Sequence, residues 1–437
     1  MKRGFFMQKL TISQNKDYFL VDGKPFFMLA DTVWATFARA TKEEWEQYLD
    51  TRKIQGFNGM QFSMLPIVSD CTRGENDRFP FVKKEEGSYD FDKLDETYFD
   101  FAEDIIKMTV KADMVPVITL IWVTYVKGSW ANRKCPEYTL TWEQCDKYLE
   151  YVLQRFQKYN PIYFVSGDAR LDEETLDIEI YNKALKKVQE MAPEALVSMH
   201  IAGRQTYYPE SYKAEDTGLD FYTYQSGHPY DTEGAGYELA QEESKFPSKP
   251  IWSNEVCYEG HAKTRGHLKH TAYDVRRASW ESYFGGAKVG ITYGAHGIWS
   301  WHRREDIFIS EYWSGSMEPW YIGLQYEGAW DMAFMKWFCM HFKLYDFNPY
   351  KLQLLEDKMR DTVGLCAMQS QDQRQLVLYV PSPTNIYLKE DLTEYEWEAF
   401  DLKTRFPYVP VIKRTESGSI MQMVNGKEDA LYIGHKK

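Results

Sequence analysis

Eight strand-like runs recur through the first 345 residues, nearly all separated by helix-like stretches, and that alternation constrains the fold more than any other feature. The runs fall at 26–31, 56–62, 115–121, 161–168, 195–200, 219–224, 250–255 and 289–293. Helical patterns fall at 41–54, 95–112, 141–158, 173–191, 233–244, 270–286 and 328–343, the first opened by a Thr41-x-x-Glu44 capping box. Strands joined through helices cannot pair as tight hairpins, so they lie parallel, and eight of them close into a ring. The expected fold is therefore α/β, a (β/α)8 TIM barrel over 1–345. Asp22-Gly23 between two apolar runs predicts an N-terminal β-hairpin plugging or flanking it.

The texture changes after Pro349. Short strand-like runs at 375–380, 411–412 and 420–424 are broken by Pro381-Ser-Pro383, Gly418-Ser419 and Asn425-Gly426. This predicts a small C-terminal all-β sandwich over 350–437. A net charge of −13 argues against a nucleic-acid partner. The six scattered cysteines form no C-x-x-C pair and read as reduced thiols. No run is long and apolar enough to span a bilayer, and residues 1–9 lack the apolar core of a signal peptide. Cytoplasm is the expected location, or secretion if a signal has been trimmed; oligomeric state is left open.

In a parallel barrel the ligand lies at the carboxyl ends of the strands. Two of those ends carry acids, Asp168 after Ser166-Gly167 and Glu255 after Ser253-Asn254. Paired carboxylates facing one cleft are what glycoside hydrolysis needs. The bland alternatives are a helix cap or Arg170 pair for Asp168, and a buried ion pair with Arg276 or Arg303 for Glu255. The other strand ends are polar or aromatic: Asp31 and Trp34, Gln61, Trp122, His200, Gln225 and His228, then His296, Trp299 and Trp301. The tryptophans are candidates to stack on a sugar, and Asp31, Gln61, His200, His228 and His296 to hydrogen-bond its hydroxyls. Aromatic residues make up 16% of the chain, a surplus that suits such stacking. The histidines show no metal-ligand spacing, so neither metal nor cofactor is expected.

The order of these motifs resembles the apiosidase-like glycoside hydrolases. The matching stretches are Phe27-Met-Leu-Ala-Asp-Thr-Val-Trp34, Tyr48-Leu-x-x-Arg-x-x-x-Gly-Phe-Asn58, Gly167-Asp168, Asn254-Glu255 and Arg276-Arg-Ala-x-Trp280. The run from Gly285-Gly-Ala287 to Gly290-Ile-Thr-Tyr-Gly-Ala-His-Gly-Ile-Trp299 joins them. The resemblance implies a TIM barrel with a C-terminal β-sandwich, an acid/base at Asp168 and a nucleophile at Glu255. The implied function is a retaining glycosidase acting on a plant cell-wall or pectic oligosaccharide, an apiosidase among the candidates. The alternative is a non-catalytic carbohydrate-binding protein on the same scaffold. A metal-dependent amidohydrolase is rejected, because strand one ends Asp31-Thr-Val-Trp34 rather than in His-x-His.

Overall fold

The computed structural model describes residues 9–74, 77–229, 233–263, 268–355, 364–422 and 428–437. Eight parallel strands form its central sheet: β1 (Met28–Thr32), β2 (Gly59–Ser63), β3 (Val115–Trp122), β4 (Ile162–Gly167), β5 (Val197–Ser198), β6 (Tyr222–Gln225), β7 (Ile251–Glu255) and β8 (Gly290–Tyr293). The spatial order is β5-β4-β3-β2-β1-β8-β7-β6. The remaining seam, between β5 and β6, is stitched by Asp220: its N–H donates to the Val197 carbonyl at 2.9 Å and its carboxylate accepts the Val197 N–H at 2.7 Å. The strands are buried along their whole length, as a sheet covered on both faces must be.

Helices α1 (Lys42–Ile54), α2 (Glu96–Lys111), α3 (Trp142–Phe156), α4 (Glu179–Met191), α5 (Ala235–Glu243), α6 (Ala272–Gly285) and α7 (Gly328–His341) surround the barrel. The expected capping box at Thr41 and Glu44 opens α1, and Thr141 with Gln144 does the same for α3. Three elements differ from the sequence expectation. The fifth strand keeps only two paired residues, and one helical turn (Glu210–Lys213) stands between it and β6. Helix α4 starts at Glu179, because 173–178 is spent in turns that pack on the loop after β3, with the Asp177 N–H donating to the Lys127 carbonyl.

The predicted hairpin pairs Phe19–Val21 with Lys24–Phe26, with Asp22 and Gly23 both at positive φ as its two-residue turn requires. A third strand, Leu10–Ile12, joins it, and Leu10 and Phe19 pack against Val115, Phe164 and Trp252 in one cluster. The N-terminal residues 1–8 lie outside the described residues. No helix of the described residues is long and apolar enough to cross a membrane, and all six cysteines are free.

The C-terminal part is a six-stranded antiparallel sheet facing a three-stranded one, and of the 420–424 run only 420–422 is described. Alternation along Gln375–Val380 explains the layering: Leu376, Leu378 and Val380 fill the space between the sheets, while Val377 and Tyr379 join the barrel's own cluster. Arg276 on α6 pins the interface, donating to Asp429 at 2.6 Å and to Asp331 on α7 at 2.7 Å.

Candidate active site

At the carboxyl ends of the strands lies a cleft of about 390 Å³ that both acids line. Asp168 follows β4 in the left-handed region, at φ 54°. Asp tolerates that conformation better than most residues. Gly167 before it has no room for a side chain, since a Cβ there would stand 2.2 Å from the Trp122 ring. The turn thus lays the Gly167 backbone against the Trp122 indole just before Asp168. Gln225, at the end of β6, donates its amide to Asp168 Oδ1 at 2.9 Å, and the Trp130 indole N–H donates to the Asp168 carbonyl at 3.1 Å. Burial, then the Glu255 charge, push the Asp168 carboxyl up to about 7, against the Gln225 hydrogen bond and Arg170.

Glu255 is the last residue of β7 and is 5% exposed. Burial raises its carboxyl above the ordinary glutamate range, while His200 and Tyr258 pull it down. His228 Nε2 stands 3.3 Å from one carboxylate oxygen and His200 Nε2 stands 3.5 Å from the other. The Tyr258 N–H donates to His228 Nδ1 at 3.2 Å, so that ring carries its proton on Nε2, toward Glu255. On His200, Nδ1 lies 2.7 Å from the Asn254 side-chain amide, and an Nε2 proton facing the acid makes Nδ1 the acceptor. Burial holds both rings below the ordinary histidine range, His228 down to about 3, so that ring is neutral. Tyr258 accepts the Trp34 indole N–H at 2.9 Å, which orients its hydroxyl beside Glu255.

Of the bland readings, only Arg170 beside Asp168 leaves a trace, its charge favouring the ionised carboxyl. Arg276 serves the domain interface, and Arg303 pairs with Glu44 at 2.7 Å. Asp168 sits eleven residues before the first residue of α4 and does not cap it.

Of the residues singled out from sequence, the fold brings Trp34, Trp122, His200, Gln225, His228 and Trp299 to the cleft with the two acids. It sends four elsewhere. Asp31 points out of the barrel wall to Arg52 on α1, 2.6 Å away, with both side chains fully buried. Gln61 points into the barrel interior, donating to Thr292 Oγ1 at 2.7 Å. Trp301 stacks on Trp320 at 5.0 Å and donates its indole N–H to Glu44. His296 lies one layer behind the cleft, accepting the Trp299 indole N–H at 3.3 Å. Sequence reasoning passed over Tyr258 and His261, just beyond the end of β7, Trp130 in the loop after β3, and Trp313 in the helical turn Glu311–Ser314, all lining the same cleft. Spacing from Glu255 was the one available signal for Tyr258.

Two buried acids lining one cleft with Trp34, Trp122 and Trp299, at the mouth of a parallel barrel, are the equipment of a glycosidase. The family described as "Apiosidase-like, catalytic domain" matches residues 13–346. The chain belongs to the apiosidase-like family, and it is a glycosidase. Among solved structures it is similar to a protein titled "Glycoside hydrolase", at 20% identity and TM-score 0.79, covering 98% of this chain and 97% of that one. It is also similar to a glycoside hydrolase family 5 protein from Bacteroides vulgatus ATCC 8482, at 20% identity and TM-score 0.79, covering 98% and 93%. A family 39 glycoside hydrolase from the gut symbiont Bacteroides cellulosilyticus WH2 aligns at 11% identity and TM-score 0.51, covering 94% and 83%. At these identities the likeness is one of fold. No curated protein matches the chain.

Proposed function

We propose that the protein is a retaining glycosidase in which Asp168 is the acid/base and Glu255 the nucleophile. A Glu255 oxygen bonds to the anomeric carbon while the glycosidic C–O bond breaks, its electron pair staying on the leaving oxygen. Asp168 gives that oxygen its proton. In the second step Asp168, now a carboxylate, takes a proton from water. The water oxygen bonds to the anomeric carbon, and the ester electrons return to Glu255. The substrate class we infer is a plant cell-wall or pectic oligosaccharide, with apiosides among the candidates on the strength of family membership.

The supporting observation is that both acids line one cleft at the strand ends, with the Asp168 carboxyl pushed up to about 7 by burial and by the neighbouring Glu255 charge. A carboxyl group that holds its proton toward neutral pH beside a second acid is what the first step requires of an acid/base. The test is the product's first-formed anomer, read by proton NMR on whichever oligosaccharide or aryl glycoside a panel identifies as substrate. Retention supports the double displacement, and inversion overturns it. Loss of turnover in Asp168→Ala should be rescued on substrates with good leaving groups, whereas Glu255→Ala should stay inactive.

A further inference from the structure

The Gln225 side chain has one amide nitrogen and two protons to place. Its Nε2 stands 2.7 Å from the Ile201 carbonyl oxygen and 2.9 Å from Asp168 Oδ1. The nearby His200 Nε2, at 3.5 Å, is itself a donor toward Glu255 and competes for neither proton. The amide is therefore fully committed, one N–H to fixed backbone and one to the acid. Ile201 is itself anchored, because the segment after β5 bridges Ala169, the residue next to Asp168. Gln225 is 3% exposed, so water does not substitute readily for it.

We propose that Gln225 is a positioning residue for the Asp168 proton: its anchored amide occupies Oδ1 and leaves Oδ2 to carry and deliver the proton. A carboxyl group free to rotate would present either oxygen, and only one of them faces the leaving group in any given pose. The clamp removes that choice before substrate arrives. It also stabilises the charged form that Asp168 takes in the second step. The groups acting on this carboxyl are Glu255 and Asp70, which oppose its ionisation, and Arg170, which favours it; Tyr181 and His200 lie nearby. The proposal rests on the acid/base role given to Asp168 above.

The test reads the carboxyl directly, without turnover. In protein labelled with [13Cγ]aspartate, the Asp168 signal is assigned by its loss in Asp168→Asn, and its titration is followed in wild type, Gln225→Met and Gln225→Leu. Without the donor the Asp168 midpoint should rise by about 1 pH unit. An unmoved midpoint in a variant with wild-type melting behaviour overturns the proposal. If both variants unfold, Gln225→Glu gives the second reading: its carboxyl would replace a donor with an acceptor and lift the midpoint, and no lift overturns the clamp. A rise in midpoint alongside wild-type activity of Asp168→Ala would leave the clamp standing and remove the acid/base role instead.

Discussion

His228 faces Glu255 with its Nε2 at 3.3 Å from a carboxylate oxygen, and the backbone N–H of Tyr258 holds the other ring nitrogen as an acceptor. Burial and the neighbouring His270 push His228 down to about 3, so the ring stays neutral through the working pH range. It acts on Glu255 as a hydrogen-bond donor rather than a countercharge. His228→Ala should remove a donor to the charged carboxylate and raise its pKa. The acid limb of kcat/KM then moves to higher pH, with kcat falling about tenfold or more. A pH–rate profile checks this, and an unmoved acid limb counts against it.

The alkaline limb has a separate origin. The acid/base role proposed for Asp168 requires it protonated in the first step, and burial and the Glu255 charge push its carboxyl up to about 7. Activity toward poor leaving groups should therefore fall as pH rises through that value. Aryl glycosides with acidic phenols need little protonation, so their glycosylation step should lose the limb. Asp168→Ala should cost about 10²–10⁴ in rate on the poor leaving groups. Comparing both substrate types across pH checks all three statements.

Gly294, just after β8, has Tyr258 pressed against its backbone. A Cβ at this position would stand 1.9 Å from the Tyr258 ring. Gly294→Ala should displace that ring and with it the hydroxyl that joins Trp34 to Glu255. The expected result is a fall in kcat of about tenfold or more with the fold retained. Circular dichroism alongside kinetics separates the two effects.

Arg276 carries the interface between barrel and sandwich. Its side chain and those of Asp429 and Asp331 are all 1% exposed or less. Arg405 from the sandwich also reaches Asp331, at 2.6 Å. Arg276→Met leaves the Asp429 charge, among the described residues, with the Tyr379 hydroxyl 3.1 Å away. Breaking a buried pair from one side costs about 3–5 kcal/mol. Denaturant unfolding should show that loss, and limited proteolysis should release the C-terminal part sooner than in wild type. An unchanged unfolding midpoint would remove the interface role.

Much of this was legible in order and spacing. The alternation of strand and helix patterns marked eight strands, and Asp168 and Glu255 stood out because each closes one. The four site candidates that lie elsewhere share a cause. Side chains alternate across a strand, so a strand-end residue faces the barrel interior, the helix layer or the mouth according to a register of one residue. Asp31 falls on the helix side and finds Arg52; Gln61 falls inside and finds Thr292. Trp301 and His296 sit beyond β8, where the loop path decides direction.

The sequence by itself determined the barrel, the sandwich and the two acids at strand ends, because hydrophobic period and chain order are local properties. Only the tertiary structure decided what surrounds those acids. Gln225, His228 and Tyr258 come from different strand ends and loops, brought together by the closure of the ring. Their hydrogen bonds and shared burial raise both carboxyls from their ordinary values, and burial is a property of the packed whole rather than of any segment.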